Sequence, residues 1–246
     1  MNNSGDRKQE LVAFLPCRAG SQRVPLKNTR QFDPDGRSLF DIKLAQLINC
    51  PDIDRIVVST NDEAIKSATR AAISGSERRI QLDHRPDTLC SSSTSTDEVV
   101  RYAATIIRKG HILWTHVTSP FVDTDDYSDI IQRYFAARAA GKHRSLMTVT
   151  KLQGFIWNDT GPINYDRAIE KWPRTQTLAP LYEVNSAAFI TEAAAMARIG
   201  DRITDDVLMY PLSKSKAVDI DDMDEFHLAM ALFARQAPLR GSSGPA

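Results

Sequence analysis

Leu11–Asn28 reads LVAFLPCRAGSQRVPLKN. Its first five residues, Leu11 to Leu15, are all apolar, as expected of a short strand buried on both faces of a sheet. The run opens into a loop that holds Arg18, Arg23 and Lys27, a Gly20-Ser21 pair and a Lys27-Asn28 exit. A loop directly after the first strand of an α/β sheet is where backbone N–H groups meet a phosphate. Arg18, Arg23 and Lys27 are close enough in sequence to serve one polyanion. The loop matches neither GxGxxG nor GxxxxGK[ST], so it grips an anion in another way or is simply a basic surface loop.

Outward from this loop, β-rich and helical patterns alternate. Ser38–Asn49 has helical spacing, and Arg55–Ser59 is a second strand. A helix capped by Asn61 or Asp62 runs to about Ile73, and another starts at Thr96 or Asp97. His111–Val117 reads as a strand, Asp125–Ala140 as a helix and Ser145–Thr150 as a strand. After a break, Ala187–Thr191 is a strand, Glu192–Ile199 a helix, Val207–Pro211 and Lys216–Ile220 short strands, and Met223–Arg235 a closing helix. This alternation predicts an α/β, doubly wound, mainly parallel sheet covered on both faces. The break, 151–182, mixes aromatics, Gly, Pro and charge and reads as an insertion within one domain spanning 10–237. Residues 1–9 and 238–246 read as disordered tails.

The 246 residues suit one domain, and 42% hydrophobic with 25% charged residues matches a soluble globular protein. Formal net charge is zero, which implies no general attraction to nucleic acid or membranes. No apolar run reaches spanning length, and the polar first ten residues lack a signal-peptide core, so a cytoplasmic protein is expected. Cys17, Cys50 and Cys90 have no metal-ligand spacing and read as reduced thiols. Cys17 lies in the anion loop, where it fills a small-residue position rather than serving as a nucleophile.

Further segments carry chemistry. In Val218–Phe226, VDIDDMDEF, Asp219 and Asp221 are two apart, and on a strand end they point the same way. Two carboxylates on one face repel unless a cation lies between them, and Mg²⁺ suits the pair. The other reading makes all the acids caps and solvated surface, and Asp222 and Asp224 fit it. Arg85–Thr96, RPDTLCSSSTST, is either a linker or a hydroxyl wall beside a helix start, able to hydrogen-bond a base. Thr115–Phe121, THVTSPF, places Thr118 and Ser119 as small donors at the carboxyl edge of the sheet. His116 there is a lone histidine. Trp172–Ile190 carries Arg174, Glu183 and Asn185.

The loop resembles the R-x-x-S-x-x-x-P-x-K-N signature of acylneuraminate cytidylyltransferases, the enzymes that make CMP-sialic acids; Arg18, Ser21, Pro25, Lys27 and Asn28 fill it. Kdo cytidylyltransferases usually follow the loop Lys with Pro, so Asn28 points to the sialic branch. The family's D-I-D-x-x-x-D/E pattern is similar to the segment at Asp219, and its R-P-x-x-L segment to that at Arg85. The resemblance covers Leu11 to Phe226 and implies a nucleotide-diphospho-sugar transferase-like, Rossmann-like fold with a small dimerisation insertion. It implies CTP and a 2-keto acid sugar as substrates, CMP-sugar and pyrophosphate as products, a homodimer through 151–182, and Mg²⁺ on Asp219 and Asp221. Arg18 and Lys27 would stabilise the departing pyrophosphate, with Asp221 as a further catalytic residue through the metal. Ser21, Asn28, Arg85, Ser93 and Thr96 would bind nucleotide; His116, Thr118, Ser119, Arg174, Glu183 and Asn185 would face the sugar. The chain departs from the family pattern twice: His116 replaces a Gln, and Glu183 stands where an Arg is usual. Both departures bear on which acid is used. Two other readings are a GT-A glycosyltransferase, whose D-x-D usually lies mid-chain, and a catalytically silent nucleotide-binding homologue.

Overall fold

The computed structural model describes residues 9–75 and 79–236. The apolar run is β1 (Leu11–Cys17). Leu11, Ala13, Leu15 and Cys17 enter one hydrophobic core, while Val12 and Phe14 enter another on the opposite face, the period-two split of a strand. Next come α1 (Leu39–Asn49), β2 (Arg55–Thr60), α2 (Glu63–Ser74), β3 (Ile80–His84), α3 (Thr96–Ile106), β4 (His111–Trp114), α4 (Thr124–Ala139) and β5 (Ser145–Leu152). A two-stranded arm, β6 (Trp157–Asn158) and β7 (Gly161–Pro162), precedes β8 (Leu181–Glu192), α5 (Ala193–Ile199), β9 (Val207–Leu212) and α6 (Met223–Gln236).

Seven strands form one sheet in the order β3-β2-β1-β4-β8-β5-β9. All neighbours are parallel except β8, which is antiparallel to β4 and β5. From β1 the chain builds outward through β2 and β3, then returns to place β4 on β1's other side. Strand order therefore reverses between β1 and β4, and a ligand crevice opens beyond their carboxyl ends. The loops leaving β1 and β4 meet there.

Helix starts follow local chemistry. Ser38 with Asp41, Ser95 with Glu98, and Asp123 with Asp126 each form a reciprocal capping box, and Asp62 caps α2. α3 thus starts at Thr96, as expected, with Ser95 as its cap. Gly110, just before β4, has φ +76°, and a Cβ there would lie 2.2 Å from the Glu10 carbonyl oxygen, so only glycine fits.

Several expectations change. Lys216–Ile220 is not a strand: the Lys216 and Ala217 amides turn back to the Ser213 carbonyl, and the Ile220 amide donates to Thr118 O. β3 was not foreseen; it is an edge strand in which Ile80 alone is buried, so no apolar run marks it. β8 starts six residues before the expected Ala187, inside the segment read as irregular. It bulges opposite Thr148: Met147 faces Phe189, but Val149 faces Val184. The bulge is held by Thr148 Oγ1, which donates to Ala188 O and accepts from Ala188 N, and by Asn185 Nδ2 donating to Thr150 Oγ1. Gln9, expected in a disordered tail, is hydrogen-bonded to His111 Nε2; residues 1–8 and 237–246 lie outside the described residues. No helix among the described residues is long and apolar enough to cross a membrane.

Candidate active site

The loop after β1 is fastened at several points. Val24 is fully buried. Ala19 N donates to Asn61 Oδ1 (2.9 Å), Asn28 Nδ2 to Arg18 O (3.2 Å), and the Phe40 amide to Asn28 O (3.0 Å). Asn28 therefore shapes the loop from within. Leu26 sits in the left-handed region at φ 55°, strained backbone for a residue other than glycine, Asn or Asp; its carbonyl accepts from the Thr29 and Arg30 amides.

Two adjoining cavities share the walls Pro16, Arg18 and His116. The first, of about 350 Å³, is basic and includes Ser21, Arg23, Lys27, Asn28 and Thr118. The second, of about 220 Å³, is walled by Arg85, Ser91, Thr94, Ser95, Thr96 and Trp114.

At the basic cavity, Lys27 Nζ donates to Ile220 O at 2.8 Å and lies 3.8 Å from Asp221. Arg23 pairs with Asp221 at 2.8 Å. Burial pulls the Lys27 ammonium below its ordinary pKa, against the opposing pull of Asp221 and Asp219. Asp219 Oδ1 accepts from the Ile220 amide; burial foremost, then neighbouring Asp221, raises its carboxyl above the usual range, against the opposing pull of the Thr118 hydroxyl and Lys27. The acid pair thus shares one site although its segment is a turn, not a strand. No three of His, Cys, Asp and Glu converge to hold a metal among the described residues. A desolvated carboxylate beside a second one nonetheless fits Mg²⁺, which takes one or two carboxylates and completes its shell with phosphate and water. Asp222 and Glu225 form the cap of α6, with Asp222 Oδ1 accepting from the Glu225 amide and Glu225 accepting from the Asp221 and Asp222 amides.

Arg85 is 6% exposed, and its Nε and Nη2 have no hydrogen-bond partner. A buried guanidinium with idle donors on a cavity wall is costly unless a ligand completes it. His116 Nε2 accepts from Trp114 Nε1 at 2.9 Å, which leaves Nδ1 as the protonated nitrogen of the neutral ring. Burial, then the Arg202, Lys27 and Lys43 charges, pushes its pKa down to about 3. Cys17 is buried, and its thiol is pushed up to about 12 mainly by burial; it is no nucleophile.

A cytidylyltransferase model matches residues 12–187, most of the chain. The chain belongs to the cytidylyltransferase family. Among curated relatives, it is 25% identical over 232 residues to the N-acylneuraminate cytidylyltransferase of Streptococcus agalactiae serotype V, covering 90% of this chain and 53% of that protein. It thus spans about half the length of that relative. It is 22% identical to the pseudaminic acid cytidylyltransferase of Campylobacter jejuni, covering 90% of this chain and 95% of that protein. Among solved structures, CMP:2-keto-3-deoxy-manno-octonic acid synthetase complexed with CTP superposes with TM-score 0.63 at 13% identity, covering 92% of this chain and 99% of that one. A 4-diphosphocytidyl-2C-methyl-D-erythritol synthase from Anaerococcus prevotii gives TM-score 0.64 at 13% identity, covering 92% and 96%. These likenesses bear on the fold, which is the expected nucleotidyltransferase-like α/β sheet.

In this family member the fold brings Arg18, Ser21, Lys27, Asn28, His116 and Thr118 to one cavity and Arg85 and Thr96 to the next. Ser93 is exposed and outside both; its neighbours Ser91, Thr94 and Ser95 form the wall instead. Ser119 is buried at 1% exposure, facing neither cavity. Asn185 is a buried brace of the β8 bulge, while Glu183 on β8 and Arg174 ahead of it are exposed. None of these three lines either cavity. Arg23 was recognised as a loop cation but not assigned to the site. Trp114 carried no polar signal beyond its strand-end position.

Proposed function

We propose that the chain transfers CMP from CTP to the anomeric hydroxyl of a 2-keto acid sugar of the sialic-acid-like nonulosonate class, releasing pyrophosphate. The observation that carries this reading is the half-idle guanidinium of Arg85 on the wall of the hydroxyl-lined cavity. Cytosine offers adjacent acceptors, O2 and N3, to such a fork, whereas uracil presents N3–H to it. The names of the curated relatives, which act on N-acylneuraminate and pseudaminic acid, support an acid sugar as acceptor.

On this reading the base lies against Arg85 and the hydroxyls of Ser91, Thr94 and Thr96. Arg18, shared by both cavities, follows the ribose and α-phosphate, and Ser21, Arg23, Lys27 and Asn28 receive the rest of the triphosphate. Asp219 and Asp221 would hold Mg²⁺, which would neutralise phosphate charge and polarise the incoming hydroxyl. The sugar oxygen displaces pyrophosphate at the α-phosphorus, and Arg18 and Lys27 neutralise the charge that builds on the leaving group. His116 offers Nδ1–H to the sugar from the junction of the cavities and stays neutral. Arg174 and Glu183 would meet the acid sugar across a homodimer in which the 151–182 arm reaches the partner's cavity. A carboxylate at Glu183 favours an acid whose amine or hydroxyls can donate to it. The test is pyrophosphate release from CTP or UTP with Mg²⁺ and a panel of 2-keto sugar acids. A silent homologue would bind CTP without turnover, and a GT-A glycosyltransferase would need an acceptor glycan.

A further inference from the structure

Lys43 stands on α1 with its whole side chain buried, at 0% exposure. Its Nζ lies 2.9 Å from Ser119 O, 3.1 Å from Val122 O and 2.8 Å from Tyr127 Oη. Three residues on, Gln46 Nε2 donates to Pro120 O at 2.7 Å. One helix therefore grips three carbonyls of the loop that leaves β4. That loop carries His116 and Thr118 into the basic cavity. Through Thr118 it also holds the acidic segment, since Thr118 O accepts from the Ile220 amide.

We propose that Lys43 is a positioning residue that clamps the Thr115–Val122 loop so that His116, Thr118 and Asp219 keep their places around the nucleotide. A hydrogen count supports an ammonium. The ammonium donates to Ser119 O, Val122 O and Tyr127 Oη; Tyr127 donates to Thr115 Oγ1 (2.7 Å); Thr115 donates to Ala187 O (2.8 Å). Every short contact then holds one hydrogen. With a neutral amine, Tyr127 must donate to Lys43, and the contact between Thr115 and Tyr127 is left with none. The charged and titratable groups acting on Lys43 are Asp123, the cap of α4, Asp126 and Tyr127 of α4, Lys216 of the turn after β9, and His116 of the loop itself. The two aspartates favour the ammonium, while burial, the larger influence, and Lys216 oppose it and draw the pKa to about 7. Lys43 has no carboxylate in contact. An apolar residue of similar shape would fill the space without desolvating a charge, so packing alone does not call for a lysine.

The catalytic part of this inference rests on the cytidylyl-transfer reading; the clamp does not. The experiment combines steady-state turnover with hydrogen–deuterium exchange of peptides spanning 115–123, on full-length wild type and Lys43→Met. Expected for the variant are at least tenfold faster exchange confined to that loop, at least tenfold lower kcat, and a KM for CTP within about threefold of wild type. Unchanged loop exchange refutes the clamp whatever the activity. Faster exchange with unchanged kcat per folded molecule refutes the positioning role. A wild type without transfer activity defeats the functional reading but leaves the exchange result standing. Should Lys43→Met not fold, Gln46→Leu and Tyr127→Phe replace it, each expected to loosen the same loop and lower kcat at least threefold; no change in either overturns the proposal.

Discussion

Arg85 is a buried charged side chain whose Nε and Nη2 the fold leaves without hydrogen-bond partners. Hydrogen bonds from a charged group are worth about 1.5–3 kcal/mol, so Arg85→Met should raise the CTP KM roughly ten- to hundredfold and erase preference over UTP. Thermal stability should hold or rise, because a buried, partly unpaired charge is removed; a Tm collapse with CTP binding retained by the folded fraction would make Arg85 structural. Lys27 and Arg18 are placed differently, on a loop fastened chiefly through Val24, Asn28 and Asn61, to which Lys27 and Arg23 add ties to Ile220 O and Asp221. Lys27→Ala and Arg18→Ala should cut turnover about a hundredfold or more, as expected when several kcal/mol of transition-state stabilisation is lost, with Tm shifted only a few degrees. Asp219→Asn and Asp221→Asn should do the same and abolish dependence on a divalent cation. Full turnover in excess EDTA would remove the metal from the account.

At the scale of elements, the loops after β1 and β4 and the turn at 219–221 make the site, and β4 also sets a pH response. His111 opens β4, its Nδ1 2.8 Å from Tyr134 Oη, and its pKa is lowered to about 4, chiefly by burial; His116 follows the strand and is lowered to about 3. Both folded values lie below the unfolded ~6.5. Below pH 6.5 the unfolded chain binds protons that the folded chain refuses, so stability falls as pH falls. The slope is about 1.4 kcal/mol per pH unit for each group, up to about 4 kcal/mol for both between pH 6.5 and 5. Denaturant unfolding should show this loss, with His111→Gln removing about half of it; a flat profile in wild type would contradict it. The same elements show what a sequence displays. β1, β2 and the basic loop are legible because both-face burial makes apolar runs and because Arg18, Arg23 and Lys27 stand close together in sequence. β3 hides because an edge strand with one buried residue has no pattern. Asp219 and Asp221 were expected on a strand end and lie in a turn: among the described residues the Val-Asp-Ile-Asp alternation has no partner strand, and the Ser213 turn and Thr118 carbonyl take its hydrogen bonds. Lys43 drew no reading of its own within the helical segment, since nothing local distinguishes a buried clamp from a solvated lysine.

At the scale of the whole molecule, the arm presents apolar side chains that the described residues leave uncovered. Trp157, Ile163, Ile169 and Trp172 are 43%, 53%, 86% and 63% exposed. Phe155 packs against Tyr165 and Trp172, and Arg167 lies over Trp157 and Trp172. An isologous dimer would bury this surface. Solution scattering should give the mass of two chains, and Trp172→Glu should halve it; a concentration-independent monomer in wild type would refute the dimer. The dimer would also explain why Arg174 and Glu183 line neither cavity of a single chain. Glu183 about 4 Å from the carboxylate common to all 2-keto sugar acids would cost ~4 kcal/mol at an effective dielectric of ~20, so Glu183 should instead face sugar amines or hydroxyls that can donate to it; an acid other than N-acetylneuraminate should then be preferred, and Glu183→Gln should reorder the substrate ranking. The most direct test of the whole account is one assay: wild-type protein, Mg²⁺, CTP or UTP, and a panel of 2-keto sugar acids including N-acetylneuraminate, with pyrophosphate and CMP-sugar measured together. The account predicts equal amounts of both products, formed from CTP and strongly disfavoured from UTP, with an acid other than N-acetylneuraminate turned over fastest. It is contradicted if pyrophosphate appears without any CMP-sugar, if UTP serves as well as CTP, or if no acid in the panel is turned over.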